Sequence, residues 1–246
     1  MKRRRFLCAG AAALGSTLVT PGCAGGPNAR GEAWQGRVLL TQVRRLQAVR
    51  IDPLTGHCAY VAQTANGTFI QPVFHARSGE TCEFVFENRL PQPTTLHPHG
   101  LLLPEDGDGA GFDPVLPGQT RRVRFTLRNR AGLYWMHAHA HGFTAEQVHA
   151  GLAALLVVHD LEDDALDAAL QLASANRLAL ALADARVAGD TLLPYAPSPV
   201  DCLHGWFGNR MRVNGELEPA FEVAPGWVRL QLLDRKSTRL NSSHVK

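Results

Sequence analysis

The sequence predicts an all-β protein, a Greek-key β-sandwich or barrel, on three observations. Between residues 59 and 160, short apolar runs recur between turns rich in Gly, Pro and Asn, a spacing that suits strands. In one run Val123, Phe125 and Leu127 alternate with Arg122, Arg124 and Arg128, so one face is apolar and the other solvated. Helical periodicity is confined to one short connector, and no internal repeat or low-complexity run breaks the pattern.

In chain order, strands are expected at 59–65, 71–76, 82–87, 121–128, 133–139 and 153–159. Cys82, Phe84 and Phe86 occupy alternate positions of the third, which places the cysteine on a buried face. Pro53-Leu54-Thr55-Gly56 makes a turn just before His57 and Cys58; this pair lies far in sequence from the other histidines, and Cys58 is not expected to bind a metal. Residues 163–174 read as a short helix, with acidic residues first, near the positive end of its dipole, and Leu166, Ala169, Leu170 and Leu172 as its apolar positions. The helix leads into a second strand set at 177–182, 211–215 and 226–233. That set opens a second β domain and stops midway, leaving strand edges that invite aggregation. The expected organisation is a leader over 1–30, a first domain over 31–165, a linker and incomplete second domain over 166–233, and a tail over 234–246.

Both ends read as segments outside the fold. Lys2-Arg3-Arg4-Arg5-Phe6-Leu7 precedes an apolar run from Ala9 to Val19 that is too short to span a bilayer. Arg-Arg-x-Phe-Leu resembles the twin-arginine export signal, which places the protein in the periplasm or outside the cell. Cys23, after Thr20-Pro21-Gly22, is a candidate lipid anchor. At the other end, 234–246 looks like a translated DNA-sequencing adapter: its Lys236 and Lys246 contrast with residues 31–233, which hold 16 Arg and no Lys. The same 31–233 stretch carries 21 Asp and Glu, a formal net charge of −5 against +3 for the whole chain. The basic balance therefore belongs to the ends, and nothing points to a nucleic-acid partner.

The chemistry concentrates in Thr94-Thr95-Leu96-His97-Pro98-His99-Gly100 and Tyr134-Trp135-Met136-His137-Ala138-His139-Ala140-His141-Gly142. Histidines at i and i+2 of a strand point the same way, so each segment offers a pair of imidazoles from one face. Four converging imidazoles suit copper or zinc. Pro98 cannot donate to a ladder and belongs on an edge strand or bulge.

These segments resemble the multicopper oxidases, a family that includes laccases, copper-efflux oxidases and bilirubin oxidases. The likeness runs from about residue 37 to 233 and is specific at His97-Pro98-His99-Gly100, where the family usually has Trp in place of Pro98, and at Tyr134 to Leu152, including Thr144, Gln147, Gly151 and Leu152. Glu87-Asn88-Arg89-Leu90-Pro91 adds to it. The resemblance implies a cupredoxin fold for the first domain and the start of a second cupredoxin after it. It implies that His97 binds a type 2 copper, that His99 and His137 bind one type 3 copper, and that His139 binds the other. Asp108, nine residues past His99, matches a family aspartate that relays protons to the cluster; read from the residues alone, it is a solvated acidic turn beside Gly107 and Gly109. Zinc is the alternative metal. His141 continues the alternation, but Gly142 bends the chain there, and the family's third histidine is usually not a ligand.

No cysteine follows His139 in the pattern of a type 1 copper site, so the electron-entry copper and four further cluster ligands are expected in a missing C-terminal region. The expected function is a fragment of an exported multicopper oxidase that couples one-electron substrate oxidation to four-electron reduction of O₂ to water. The fragment itself is expected to be inactive. The alternative is a copper-binding cupredoxin protein without oxidase activity. The partners are O₂ and a reducing substrate, phenolic or cuprous; only Met136 and Met211 lie inside the chain, and they do not choose between the two.

Overall fold

A computed structural model describes residues 37–109 and 112–234. The leader, Cys23 and residues 235–246 lie outside the described residues. Asp234 does not: it is the last residue of a paired strand, opposite Leu182.

The first unit contains β1 (Arg37–Leu39), β2 (Arg45–Arg50), β3 (Cys58–Thr64), β4 (Gly67–Ile70), β5 (Val73–Arg77), β6 (Thr81–Asn88) and β7 (His97–His99). It continues through β8 (Thr120–Thr126), β9 (Gly132–His137) and β10 (Ala153–His159). Helices α1 (Glu105–Asp108), α2 (Thr144–Ala150) and α3 (Leu161–Ala169) lie between or after these strands. The strands form two five-stranded sheets, ordered β1-β5-β10-β9-β7 and β4-β3-β2-β6-β8, the all-β sandwich that the spacing predicts. All six strands expected in this unit are present, and β10 matches its expected bounds. The sequence reading missed β1, β2, β4 and the helix α2, and read the short helix α1 as an acidic turn.

Each sheet turns one face inward. Leu46, Tyr60, Phe74, Phe84, Phe86, Phe125 and Met136 are buried in a single core, and Cys82 lies among them, fully buried. β10 shows why its run is apolar throughout. Ala154, Leu156 and Val158 join the core, while Ala153, Leu155 and Val157 are equally buried on the opposite face, so the strand is covered on both sides.

That second cover comes from the rest of the chain. It contains β11 (Arg177–Ala185), β12 (Val187–Ala188), β13 (Thr191–Leu192), α4 (Pro199–His204), β14 (Arg210–Val213), β15 (Glu216–Leu217) and β16 (Arg229–Asp234). Its main sheet has the order β15-β14-β11-β16. Among the described residues β16 pairs only with β11, in parallel, and Leu230 and Leu232 are more than half exposed.

The connector helix departs from its expected form. α3 begins earlier, capped by Asp160, whose carboxylate accepts from the Asp163 N–H at 2.8 Å, and it straddles the expected boundary at 165/166. Its apolar residues are not its buried face: Leu161 and Leu166 are exposed, whereas Asp163 and Asp167 are buried. These acids, one turn apart, meet Arg229, which pairs with both, and Arg177, which pairs with Asp167. Ion pairing across the two units sets the orientation of this helix, and a hydropathy pattern does not register that.

Candidate metal centre

Among the described residues β7 is the edge strand of its sheet and pairs with β9 alone, His97 opposite His137 and His99 opposite Trp135. The edge position accommodates Pro98, as its missing N–H requires. Leu96 and Met136 point into the core, so His97, His99, Trp135 and His137 share the outer face of the sheet. β9 ends at His137, and His139 lies just beyond it, held by its N–H donating to Thr95 Oγ1 at 2.9 Å. The ring of His97 is 5.4 Å from His99, 5.3 Å from His137 and 5.1 Å from His139, centroid to centroid. The two expected pairs therefore converge on one face.

Within this group, ring nitrogens of His97, His99 and His137 all lie within 4.8 Å of one another. His99 Nδ1 and His137 Nε2 are 3.2 Å apart, close enough to share one ion. Backbone carbonyls set two tautomers, since a carbonyl only accepts. His137 Nδ1–H donates to the Ala138 carbonyl at 2.8 Å, and His97 Nδ1–H donates to the Asp108 carbonyl at 2.6 Å. Each ring is left with Nε2 as its lone-pair donor, the arrangement in which metal-binding histidines are usually held. Burial pushes the His137 imidazole down to about 3, with the neighbouring histidines adding to the effect. Burial likewise lowers His99, followed by His97 and His139. These rings are neutral near pH 7, as ligation requires. The donor set, all imidazole with two of the tautomers fixed, fits copper.

Asp108 reaches the site through a close approach. It ends α1, and the next residue, Gly109, has φ +64°; a Cβ there would stand 1.9 Å from the Leu96 carbonyl oxygen. Only glycine permits that contact. It brings the Asp108 carboxylate Oδ1 to 3.6 Å from His97 Nδ1, with the side chain about one-third exposed. Farther along the chain, α2 is tied to the histidine segment: the buried Gln147 accepts from Thr94 Oγ1 and donates to the Pro93 carbonyl, both at 2.8 Å.

The remaining candidates lie elsewhere. His141 is exposed and stacks on Phe112 at 6.2 Å. Cys58 opens β3, buried, its thiol donating to the Gly56 carbonyl at 3.2 Å and pushed up to about 11 by burial. Two ring contacts, one at the site and one away from it, escaped the sequence reading. Trp135 stacks on His137 at 4.0 Å and 19°. His75 and His159, which look isolated in sequence, meet at 2.9 Å between the parallel strands β5 and β10. No periodicity signals a pair formed across 84 residues.

Comparison with known proteins gives the family of the domain that carries these residues. The family profile described as multicopper oxidase matches residues 46–163. This region is a multicopper oxidase-family cupredoxin domain. The McoA multicopper oxidase 2F4 variant of Aquifex aeolicus superposes with a TM-score of 0.69 at 26% identity, over 83% of this chain and 45% of that one. The laccase-like multicopper oxidase CueO of Ochrobactrum sp. gives 0.65 at 30% identity, over 82% and 46%. Among curated relatives, cell division protein FtsP of Edwardsiella tarda (strain FL6-60) is 29% identical over 97% of this chain and 50% of its own length. Multicopper oxidase mco of Staphylococcus aureus is 28% identical over 71% and 38%. The chain spans half or less of the length of these relatives.

Proposed function

We propose that this chain carries half of the trinuclear copper site of an exported multicopper oxidase, which couples one-electron oxidation of a reducing substrate to the reduction of O₂ to water. The observation that supports it is the convergence of four imidazoles on one outer sheet face, two of them with carbonyl-fixed tautomers. Copper held there supplies the one-electron chemistry that O₂ reduction needs. His97 would hold a type 2 ion, His99 and His137 together one type 3 ion, and His139 the other. The 3.2 Å approach of His99 Nδ1 to His137 Nε2 suits the shared ion. The Asp108 carboxylate, beside His97 and open to solvent, would take up and release the protons that water formation consumes.

The other ligands and the type 1 copper would come from a further domain facing this one. The reducing substrate would be a phenol or cuprous ion. Export would follow the twin-arginine-like leader, with Cys23 as a candidate anchor; among the described residues no helix is long and apolar enough to cross a membrane.

The name that several relatives carry, cell division protein FtsP, favours a second reading, a copper-binding cupredoxin protein without oxidase activity. Copper titration of this chain, followed by electron paramagnetic resonance and equilibrium dialysis, tests the site. We expect weak copper binding, lowered about tenfold or more by His137→Ala, and no O₂ consumption. Absence of copper binding would overturn the site, and sustained O₂ consumption would overturn the half-site reading. A longer product of the gene that binds copper but does not consume O₂ with either substrate would favour the second reading.

A further inference from the structure

The proposed function gives a task to the four histidines and to Asp108, but none to Thr95, the residue that meets His139. Of the four imidazoles only that of His139 comes from outside a strand. His97, His99 and His137 lie in β7 and β9, and their ring nitrogens form one close set. His139 stands exposed beyond the end of β9 and outside that set. On the β10 side, the chain is still tied at Ala138, whose N–H donates to the Leu152 carbonyl at 3.1 Å. On the β7 side the ladder has ended. Continued by one more pair on the same face, its register would set Thr95 opposite His139. There the Thr95 hydroxyl takes the His139 N–H in place of a backbone carbonyl.

Thr95 is itself firmly placed. It is 1% exposed. Its neighbour Thr94 pairs with Val115 through both backbone groups, at 3.1 and 2.8 Å. The Thr94 hydroxyl donates to Gln147 of α2, which also donates to the Pro93 carbonyl. The same helix reaches the other side of His139, where the Thr144 hydroxyl donates to the Ala140 carbonyl at 3.1 Å. Both segments that meet at the contact are thus anchored to α2, and Thr95 offers His139 a fixed acceptor.

We propose that Thr95 is a positioning residue of the copper site: by accepting the His139 N–H, its hydroxyl holds the fourth imidazole apart from the other three, where it can serve a second copper ion. This role rests on the copper reading of the site; the hold on His139 exists without metal and is tested separately.

Valine has the shape of threonine without the hydroxyl, and serine keeps the hydroxyl without the methyl group. Thr95→Val and Thr95→Ser therefore separate hydrogen bonding from packing. In the metal-free full chain, amide hydrogen exchange at His139 should quicken about five- to tenfold in Thr95→Val, as loss of one hydrogen bond requires. The nuclear Overhauser contact between the His97 and His139 rings should fade with it, and Thr95→Ser should match wild type in both. Anaerobic titration with cuprous ion is then followed at the ring-nitrogen resonances. In Thr95→Val the His139 ring should need about tenfold more copper, while the His99 and His137 rings respond as in wild type. If the thermal melt shows that Thr95→Val does not fold, Thr95→Ala is measured in its place. Unchanged exchange and ring contact at His139 in the variant without a hydroxyl would overturn the proposal. So would a Thr95→Ser protein that behaves like Thr95→Val, or a copper response weakened equally at all four rings, since either would make Thr95 a packing residue only. A wild type in which no ring responds to cuprous ion would instead overturn the metal site itself, and the metal-free measurements would still uphold or overturn the hold of Thr95 on His139.

Discussion

At the scale of single residues, the site depends on small local devices. Gly109 is the clearest: its left-handed backbone and its contact with Leu96 together place Asp108 over His97. Gly109→Ala should cost about 1–3 kcal/mol, the range for forcing extra atoms into packed structure, and should also weaken copper binding, because the carbonyl that fixes the His97 tautomer must move. Thermal unfolding and copper dialysis measure the two effects; a stable variant with unchanged copper affinity would show that the loop does not hold His97. His75 gives a pH prediction. Burial lowers its pKa from 6.5 to about 4, with Arg37, His159 and Arg177 adding to the shift. The unfolded chain therefore binds a proton below pH 6.5 that the folded chain refuses. Stability should be unaffected by His75 above pH 6.5 and should fall between pH 6.5 and 4, by at most about 3 kcal/mol. Urea unfolding at pH 7.5 and 4.5 checks this, and His75→Gln should reduce the difference between the two.

At the scale of elements, α3 binds the two units together. Asp163 accepts from His159 at 3.0 Å and pairs with Arg229, and Asp167 pairs with Arg229 and Arg177. Removing one member of such a cluster leaves buried charge uncompensated, so Asp167→Asn should destabilise by about 3 kcal/mol. Replacing Asp167 and Arg229 together by Leu should cost clearly less than the two single changes added. Thermal unfolding of the three variants gives the coupling, and strict additivity would show that the pairs are energetically idle. The same helix shows where sequence reading has limits. Its existence and its acidic start are legible, but its buried face is not, because the arginines that select that face lie 10 or more residues downstream on β11 and β16. The edge position of β7 is legible, by contrast, because Pro98 lacks a donor in any context.

For the whole molecule, the second unit leaves apolar surface uncovered. Among the described residues, Trp227, Leu230 and Leu232 are each more than half exposed, and β16 is an edge of its sheet. Such an edge invites pairing with another chain. The 246-residue chain should associate as its concentration rises, and Leu230→Lys with Leu232→Lys should suppress the association; sedimentation velocity checks this. A monomer at all concentrations would mean that this face is protected.

The amino-acid sequence by itself determined six of the sandwich strands, the edge strand at Pro98 and the two histidine pairs, because alternation along a strand is a local geometric rule that fixes which side chains share a face. Only the tertiary structure decided which of those faces meet. It turned both pairs outward onto one sheet face, placed the Asp108 carbonyl on His97, stacked Trp135 on His137, and brought together His75 and His159. It also buried the acids of α3 and left an open cleft between the units. These features are contacts between residues distant in sequence, set by sheet order and by charge pairing across the interface, and no local pattern encodes them.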